Sequence, residues 1–395
     1  MFSAKLKKIS KINTLIVFSL LGLSACGGDE GEGGPVFVAP VILDGVFKDS
    51  NVSGVSFVSG GEQGVTDKDG QFTYEKGKDV TFSIGAIDLG SAVGKPVMTP
   101  LDLVENGTLN STEVINKARF IMMLDKDNKP SNGIEISTLV QEKAKKWNGI
   151  EFNAFNFSTQ NLADIIVEAS VADGVVHELP EVAIAVQHLK TTLLCANSGT
   201  FTGSYTGTEK GSFAFVVDPA TGEVNGSSYN SSNQVSVEVK NKSALDYDNG
   251  LVFITAEDSG KVFSGEFSST EKLEGVWVDS NDSLKKGDFL GDRIGGDSTS
   301  TYRYAASFTG DDKGLFAFNV DENSNITGVS YSVSTQKQSK LTGSITDDKL
   351  VVTSADGDSL TGFIDDKTLV ITTGVWINGK KKTGGSFKGS GCRLN

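Results

Sequence analysis

Histidine, cysteine, tryptophan and proline are scarce in this chain, with two, three, three and seven of them among 395 residues. Histidine is the side chain that exchanges protons most readily near neutral pH, and no cysteine or carboxylate completes a zinc pattern around His177 or His188. Nucleophile-elbow, metalloprotease, phosphate-loop, dinucleotide and haem motifs are also missing. We therefore expect a non-enzymatic protein without a cofactor, in which both histidines have core or surface roles.

Basic residues are in the minority, because 36 lysines and arginines stand against 50 aspartates and glutamates and the formal net charge is −14. Four of the lysines lie in the first eleven residues, so the rest of the chain is more acidic still. An acidic chain repels phosphate backbones, whereas nucleic-acid binding requires a basic footprint. These numbers exclude nucleic acid as a partner.

Long apolar runs are missing as well. The run Leu15–Leu23 is well short of the ~20 residues that a membrane-spanning helix needs. Lysines precede it and the small residues Ser24 and Ala25 follow it, which is the order of a charged region, an apolar region and a cleavage site. The sequence thus predicts a cleaved signal peptide over residues 1–25.

The residues Leu23, Ser24, Ala25 and Cys26 resemble the lipobox of bacterial lipoproteins. The resemblance implies that the Cys26 thiol carries a diacylglycerol and that acyl chains fasten the mature N-terminus to outer-membrane lipid. An ordinary secretory signal with a stray cysteine is the alternative. Residues 26–40 then form a flexible, acidic, glycine-rich tether, and we expect an outer-membrane protein that faces the periplasm or, preferably, the cell surface.

The other two cysteines, Cys195 and Cys392, bracket the second half of the chain. In the oxidising compartment that a secretory signal implies, they are predicted to form a disulfide. Two independent buried thiols are the alternative.

Residues 41–104 alternate between apolar and polar side chains, with strands expected at Val52–Val58, Gln71–Tyr74 and Val80–Ile84 and glycine-rich turns between them. The phrase "GVSFVSGGEQGVTDKDGQFTY" resembles the carboxypeptidase-regulatory, transthyretin-like module. The matching residues are Gly54, Val55, Thr66, Asp67, Gly70 and Phe72. The resemblance implies a small antiparallel β-sandwich that serves as a spacer or a binding platform.

Residues 105–196 have the periodicity of four short helices. The first begins after Asn110 or Ser111, and the others are expected at Ser137–Trp147, Asn161–Val171 and Pro180–Leu194. Between the first two helices, Asp125 and Asp127 have the spacing of a calcium loop. However, Pro130 replaces the glycine of such a loop and Ile136 replaces its last glutamate, so a turn between helices is the favoured interpretation.

The last two hundred residues contain a duplication. "YTGTEKGSFAFVVD" from Tyr205 and "FTGDDKGLFAFNVD" from Phe308 share nine of fourteen residues, and later phrases such as Gly-Val-Trp recur in both copies. Each copy divides into about eight short alternating segments with short connections. We therefore predict two tandem eight-stranded antiparallel units, at 197–297 and 298–395, each either a barrel or two packed sheets. The fold class is mainly β and multidomain.

Each copy carries one tryptophan, Trp277 and Trp376, and both are expected to pack in the core or plug a barrel end. The favoured function is a lipid-anchored envelope protein with a non-enzymatic binding, adhesion or structural role, whose partner is a cell-surface glycan or protein. In the alternative, the β units are barrels that capture a small ligand or present cargo, with Trp277 and Trp376 at their mouths. A glycan-cleaving enzyme with paired carboxylates is a third possibility.

Overall fold

The structure, a computed structural model, describes residues 39–159, 162–247, 251–295 and 300–394. About half of these residues lie in β-strands, and Pro40–Asn395 form one compact unit. The predicted fold class, mainly β with small N-terminal sheets, a helical block and two tandem eight-stranded units, is confirmed. The predicted signal peptide, the lipobox with Cys26 and the tether as far as residue 38 lie outside the described residues.

In the described residues eight short strands precede the first helix, and seven of them form two small sheets. These strands are β1 (Ile42–Phe47), β2 (Val52–Ser53), β3 (Ser56–Ser59), β4 (Glu62–Val65), β5 (Gln71–Glu75), β6 (Asp79–Ile84), β7 (Ile87–Val93) and β8 (Val97–Met98). One sheet has the order β5-β1-β8 and the other the order β4-β3-β6-β7. Their facing side chains, including Phe47, Phe72 and Phe82, are buried against one another.

Gly54 divides the predicted strand Val52–Val58 into β2 and β3. Its φ is +86°, and a Cβ atom there would lie 2.2 Å from the carbonyl oxygen of Ile136. This close approach lets β2 pair in parallel with β9 (Ile134–Glu135), which connects the sheets to the helical block. Neither this parallel pair nor that of β1 with β8 follows from the alternation of the sequence.

The four predicted helices are present. They are α1 (Thr112–Met123), α2 (Thr138–Ala144), α3 (Leu162–Asp173) and α4 (Val182–Asn197). The hydroxyl of Ser137 caps α2 by accepting the backbone N–H of Val140, whereas Ser111 occupies the N-cap of α1 without a side-chain cap bond. Helix α1 packs against α4, and α2 packs against α3.

Both repeat units are closed antiparallel barrels, which decides between the two predicted arrangements. The first consists of β10 (Gly199–Gly207), β11 (Gly211–Val217), β12 (Val224–Asn230), β13 (Val235–Asp246), β14 (Val252–Glu257), β15 (Lys261–Ser269), β16 (Lys272–Asp279) and β17 (Asp282–Ile294). The second consists of β18 (Tyr302–Gly310), β19 (Gly314–Val320), β20 (Asn325–Ser332), β21 (Lys337–Thr346), β22 (Lys349–Ser354), β23 (Ser359–Ile364), β24 (Val370–Ile377) and β25 (Gly384–Arg393). In each barrel every strand pairs with the next, and the last pairs with the first.

Several glycines of the barrel strands lie against aromatic rings. A Cβ atom on Gly275 would lie 2.9 Å from the ring of Phe289, and one on Gly374 would lie 2.5 Å from the ring of Phe387. The repeated Gly-Val-Trp phrase therefore has a packing cause in both copies.

The apolar core is continuous from the N-terminal sheets through the helices into the first barrel. The second barrel encloses a core of its own, and a small apolar cluster that includes Ala214, Leu315 and Tyr331 joins the two barrels. The first barrel is thus integrated with the rest of the unit, and the second is attached to it.

The junction of the helices and both barrels lies at the C-terminal end of α4. The predicted disulfide forms there, between Cys195 at the end of α4 and Cys392 in β25. Two buried arginines, Arg293 from the first barrel and Arg303 from the second, donate hydrogen bonds to the last carbonyls of the helix, including that of Ala196. Positive charge at this end of a helix complements its dipole.

Candidate ligand-binding site

The two tryptophans occupy equivalent places in the two barrels. Trp277 in β16 faces Phe263 in the neighbouring strand, and Trp376 in β24 faces Leu360 in the same register. The indole N–H of each donates a hydrogen bond of 2.9 Å to a carbonyl of the barrel's first strand. Trp277 is fully buried, whereas Trp376 remains 6% exposed.

The mouth of the first barrel is filled by Lys261. Its ammonium nitrogen lies 4.5 Å from the centre of the Tyr205 ring and 5.1 Å from that of Trp277. It also lies 3.0 Å from a carboxylate oxygen of Glu209 and 3.7 Å from one of Glu257. A buried ammonium is stable only where charge and hydrogen bonds compensate for lost water, and all of these partners converge on one nitrogen.

The charge balance of this cluster keeps the lysine protonated. Burial alone would lower the pKa of Lys261, but the hydrogen bond to Glu209 and the charge of Glu257 raise it above its ordinary value. The hydroxyls of Ser228 and Ser259 donate hydrogen bonds to the carboxylate of Glu257. The first mouth is therefore closed by a paired internal cation.

The mouth of the second barrel is an open cavity of about 250 Å³. Phe308, Leu360 and Trp376 supply its apolar and aromatic lining. The polar groups around them are Asp312, Ser330, Ser332, Thr335, Lys337, Gln338, Ser339, Ser354, Asp356, Asp358, Asn378 and Lys380. A concave site with aromatic and apolar side chains and several convergent polar groups is typical of small-ligand binding.

The strand register identifies which residue of the second barrel replaces the lysine. Lys261 stands two residues before Phe263, and Asp358 stands two residues before Leu360. The internal cation of the first mouth is therefore an aspartate in the second.

The remaining members of the cluster differ in a related way. Glu209 corresponds to Asp312 within the duplicated phrase, so a carboxylate remains. Glu257 corresponds to Ser354, because each is the last residue of the fifth strand of its barrel. The aromatic floor is retained in the pair Phe308 and Trp376, whose rings lie 5.5 Å apart.

The charges of the second mouth are arranged by depth. Asp312 and Asp358 are half-buried, whereas Lys337 and Lys380 are exposed at the rim. A carboxylate oxygen of Asp358 accepts the backbone N–H of Gly379 at 3.0 Å, which fixes its position. Among the described residues, no lysine or arginine forms a salt bridge with Asp312, Asp356 or Asp358, so the cavity offers unpaired carboxylates beside an aromatic surface.

The two histidines lie in separate environments. His177 is buried, with Nε2 3.1 Å from a carboxylate oxygen of Asp173. His188 places the same atom, Nε2, 3.1 Å from the carbonyl oxygen of Asp49 and 3.3 Å from the hydroxyl of Ser50. The same nitrogen lies 3.6 Å from a carboxylate oxygen of Asp49. A hydrolytic relay needs serine and carboxylate on opposite ring nitrogens, whereas both lie beside Nε2 of His188.

The carboxylates of Asp125 and Asp127 accept backbone N–H groups of the turn that contains them. Asp125 accepts from Lys129 and Glu135, and Asp127 accepts from Lys129. Burial raises the pKa of Asp125 to about 6. Across the described parts of the chain, no three histidine, cysteine, aspartate or glutamate side chains are grouped to hold a metal ion.

No family model matches the chain, and no curated protein matches it. Three solved structures resemble about half of it at 11% identity. A protein of unknown function from the DUF3598 family of Nostoc punctiforme PCC 73102 has a TM-score of 0.18, over 51% of this chain and 98% of that chain. The apo haemoglobin receptor HpuA from Kingella denitrificans has a TM-score of 0.19, over 50% and 88%. Intact Ap-TbpB, with its N and C lobes, has a TM-score of 0.18, over 50% and 60%.

Sequence reasoning singled out the two tryptophans but missed the polar cluster beside each of them. The signal was present in the aligned repeats, where Lys261 falls opposite Asp358. Without the strand register, this difference looks like ordinary variation between two surface turns.

None of the helices in the described residues combines the length and apolarity needed to cross a bilayer.

Proposed function

We propose that this protein is a lipid-anchored, non-enzymatic binding protein of the cell envelope whose ligand site is the mouth of the second barrel. The observation that carries the proposal is the 250 Å³ cavity over Trp376 at a position that the first barrel fills with its own side chain. Within one chain, the same architecture is closed in one copy and open in the other. A binding role accounts for that difference, whereas a purely structural role requires no opening.

The size of the cavity limits what can enter it. Ligand pockets for whole drug-sized molecules occupy roughly 300–1,000 Å³, so this mouth fits a small molecule or one projecting group of a larger cell-surface partner. The small-ligand alternative from the sequence is therefore the form of binding that we favour. The N-terminal sheets and helices then act as the base that carries the barrels.

The proposed location in the cell envelope rests on the resemblance of the sequence around Cys26 to a lipobox. Two or more acyl chains hold a protein to a bilayer where a single chain does not. We expect radiolabelled palmitate to be incorporated into the wild-type protein and not into the Cys26→Ser variant. Protease treatment of intact cells should remove the anchored protein if it faces outwards. Incorporation into Cys26→Ser, or a precursor that remains in the cytosol, would contradict the proposed location.

The ligand site is tested by binding measurements with three spectroscopic reporters. In protein labelled with ¹⁵N-tryptophan, Trp147, Trp277 and Trp376 each give one indole N–H signal, assigned by single substitutions to phenylalanine. Titration with a panel of small amines, carboxylates, alcohols and sugars should move the Trp376 signal alone. The proposal fails if no compound moves it, or if the purified protein turns over a glycan and loses that activity in Asp358→Asn.

A further inference from the structure

We propose that the mouth of the second barrel binds a primary ammonium group, seated over Trp376 as the first barrel seats the ammonium of Lys261. This inference rests on the proposed function, because it names the chemistry of the ligand at that site. It identifies the ligand class as alkyl ammonium compounds, whether free amines or the lysine side chain of a partner.

The first barrel shows what this kind of mouth can hold. The Lys261 ammonium lies over two aromatic faces and within 3.0 Å of the Glu209 carboxylate, and the phenolic oxygen of Tyr205 lies 3.2 Å away. Aromatic faces and carboxylates both attract cations, so this is an ammonium site whose occupant belongs to the chain.

The second barrel keeps the receptor half of this arrangement and lacks the occupant. Trp376 retains the position and the indole hydrogen bond of Trp277, and Phe308 retains the aromatic ring of Tyr205. Asp312 retains the carboxylate of Glu209, and Asp358 adds another where the first barrel has its lysine. The cavity is lined by these groups, which correspond in sequence and strand register to the groups around the Lys261 ammonium in the first barrel.

The depth of the charges favours a cation over an anion in the cavity. A ligand carboxylate in contact with Trp376 would lie beside the half-buried carboxylates of Asp312 and Asp358. Lys337 and Lys380 are exposed and well solvated, so their attraction for such an anion is screened. A ligand ammonium in the same place would be attracted by the two half-buried carboxylates, and the exposed lysines at the rim would repel it only weakly.

The probe for this inference is n-butylammonium, which is the side chain of Lys261 as a free molecule. Two compounds of similar length serve as controls: n-butanol is uncharged, and butyrate carries the opposite charge. We expect n-butylammonium to shift the Trp376 indole signal saturably and to leave Trp147 and Trp277 unchanged. Spermidine and N-acetyl-Gly-Lys-Gly-amide then distinguish free polyamines from a protein lysine as the source of the group.

Substitutions at Asp358 make the test specific. Asp358→Lys should abolish the shift, because it restores the internal cation of the first barrel. Asp358→Asn should weaken binding about fivefold by removing one charge partner. Asp366→Lys is the control, because it makes the same charge change as Asp358→Lys at the opposite end of the barrel. Asp366 lies in the exposed turn between β23 and β24, so this variant should leave binding unchanged.

The outcomes separate this inference from the proposed function. If butyrate, butanol or a sugar shifts Trp376 and n-butylammonium does not, the ammonium assignment is wrong while the site remains. If no compound shifts Trp376, both proposals fail. Equal binding to wild type, Asp358→Asn and Asp358→Lys would overturn the inference, and loss in Asp366→Lys would show that only overall charge matters.

Discussion

The two barrels are built from the same strand order, the same glycine and aromatic packing and the same tryptophan hydrogen bond, yet they differ at one end. In the first, Lys261 joins Glu209 and Glu257 in a buried network. In the second, Asp358 stands in place of the lysine and a cavity lies over Trp376. A few side chains therefore close or open a barrel mouth while the closed sheet around it stays the same.

The wider packing supports the same division of roles. The first barrel shares its core with the helices and the N-terminal sheets, whereas the second barrel has a separate core. A barrel on which other elements are packed is constrained to remain rigid. The second barrel is less constrained, because its core is separate, and it is the better place for a site that exchanges ligand with solvent.

The largest expected effect concerns the disulfide that joins the end of α4 to the last strand of the second barrel. The Cys195–Cys392 disulfide closes a loop with a sequence separation of 197 residues. In Cys195→Ala/Cys392→Ala we expect the free energy of unfolding to fall by about 5 kcal/mol, because the denatured chain gains loop entropy. Urea denaturation measures this, and reduced wild-type protein should behave like the variant. An unchanged midpoint would contradict the expected loss of loop entropy in the denatured chain.

The next effect distinguishes the two mouths directly. Lys261→Met should lower the free energy of unfolding by roughly 3 kcal/mol or more, because the Glu257 carboxylate is left buried without its cation. Asp358→Asn, at the equivalent place in the second barrel, should change it by under about 0.5 kcal/mol, since no salt bridge is lost. Urea denaturation of both variants measures the contrast. Similar losses would show that the second mouth is as tightly paired as the first.

A smaller contrast is expected between the tryptophans. Trp277→Phe removes an indole N–H bond and the upper contact of Lys261 from a fully buried site, and should cost about 2 kcal/mol. Trp376→Phe removes the same kind of bond beside an open cavity, where water can reach the freed carbonyl, and should cost about 1 kcal/mol. Thermal unfolding of the two variants measures the order. The reverse order would place the tighter packing in the second barrel.

The smallest effect is a pH dependence of the first barrel. The pKa of Lys261 is raised in the folded state above its ordinary value of 10.5. Its stabilising contribution is therefore complete below that value and is lost as the pH rises through the folded-state pKa. The stability difference between wild type and Lys261→Met should shrink from about pH 9 to above about pH 11. A stability difference that is constant over this range would mean that the charge of Lys261 does not stabilise the folded state.

Much of the fold could be predicted from the sequence because it depends on local and repeated patterns. Alternation and turn residues located strands such as Gln71–Tyr74 to within one residue of the observed Gln71–Glu75, and the apolar periodicity located all four helices. Closure into barrels, instead of two packed sheets, depends on the pairing of β10 with β17 and of β18 with β25, which no local pattern records. The parallel pair made possible by Gly54 is non-local for the same reason.

The candidate site was predictable only in part. Trp277 and Trp376 stand out in the sequence because tryptophan is rare and recurs at the same point of the repeat. The importance of Lys261 and Asp358 depends on their distance from those rings, and similar lysines and aspartates occur in many exposed turns. The role of each charged side chain also depends on how deeply it is buried in the barrel mouth. The burial of a single residue in a turn cannot be predicted from the residues next to it in the sequence.

A crystal structure of the purified protein with n-butylammonium tests most directly the claim that the first mouth is closed and the second open. We expect the Lys261 ammonium to lie over Tyr205 and Trp277 in the first barrel. In the second barrel we expect a bound ammonium nitrogen within about 6 Å of the Trp376 ring. A second mouth that is empty of ligand and covered by Lys337 or Lys380 folded over Trp376 would contradict this claim.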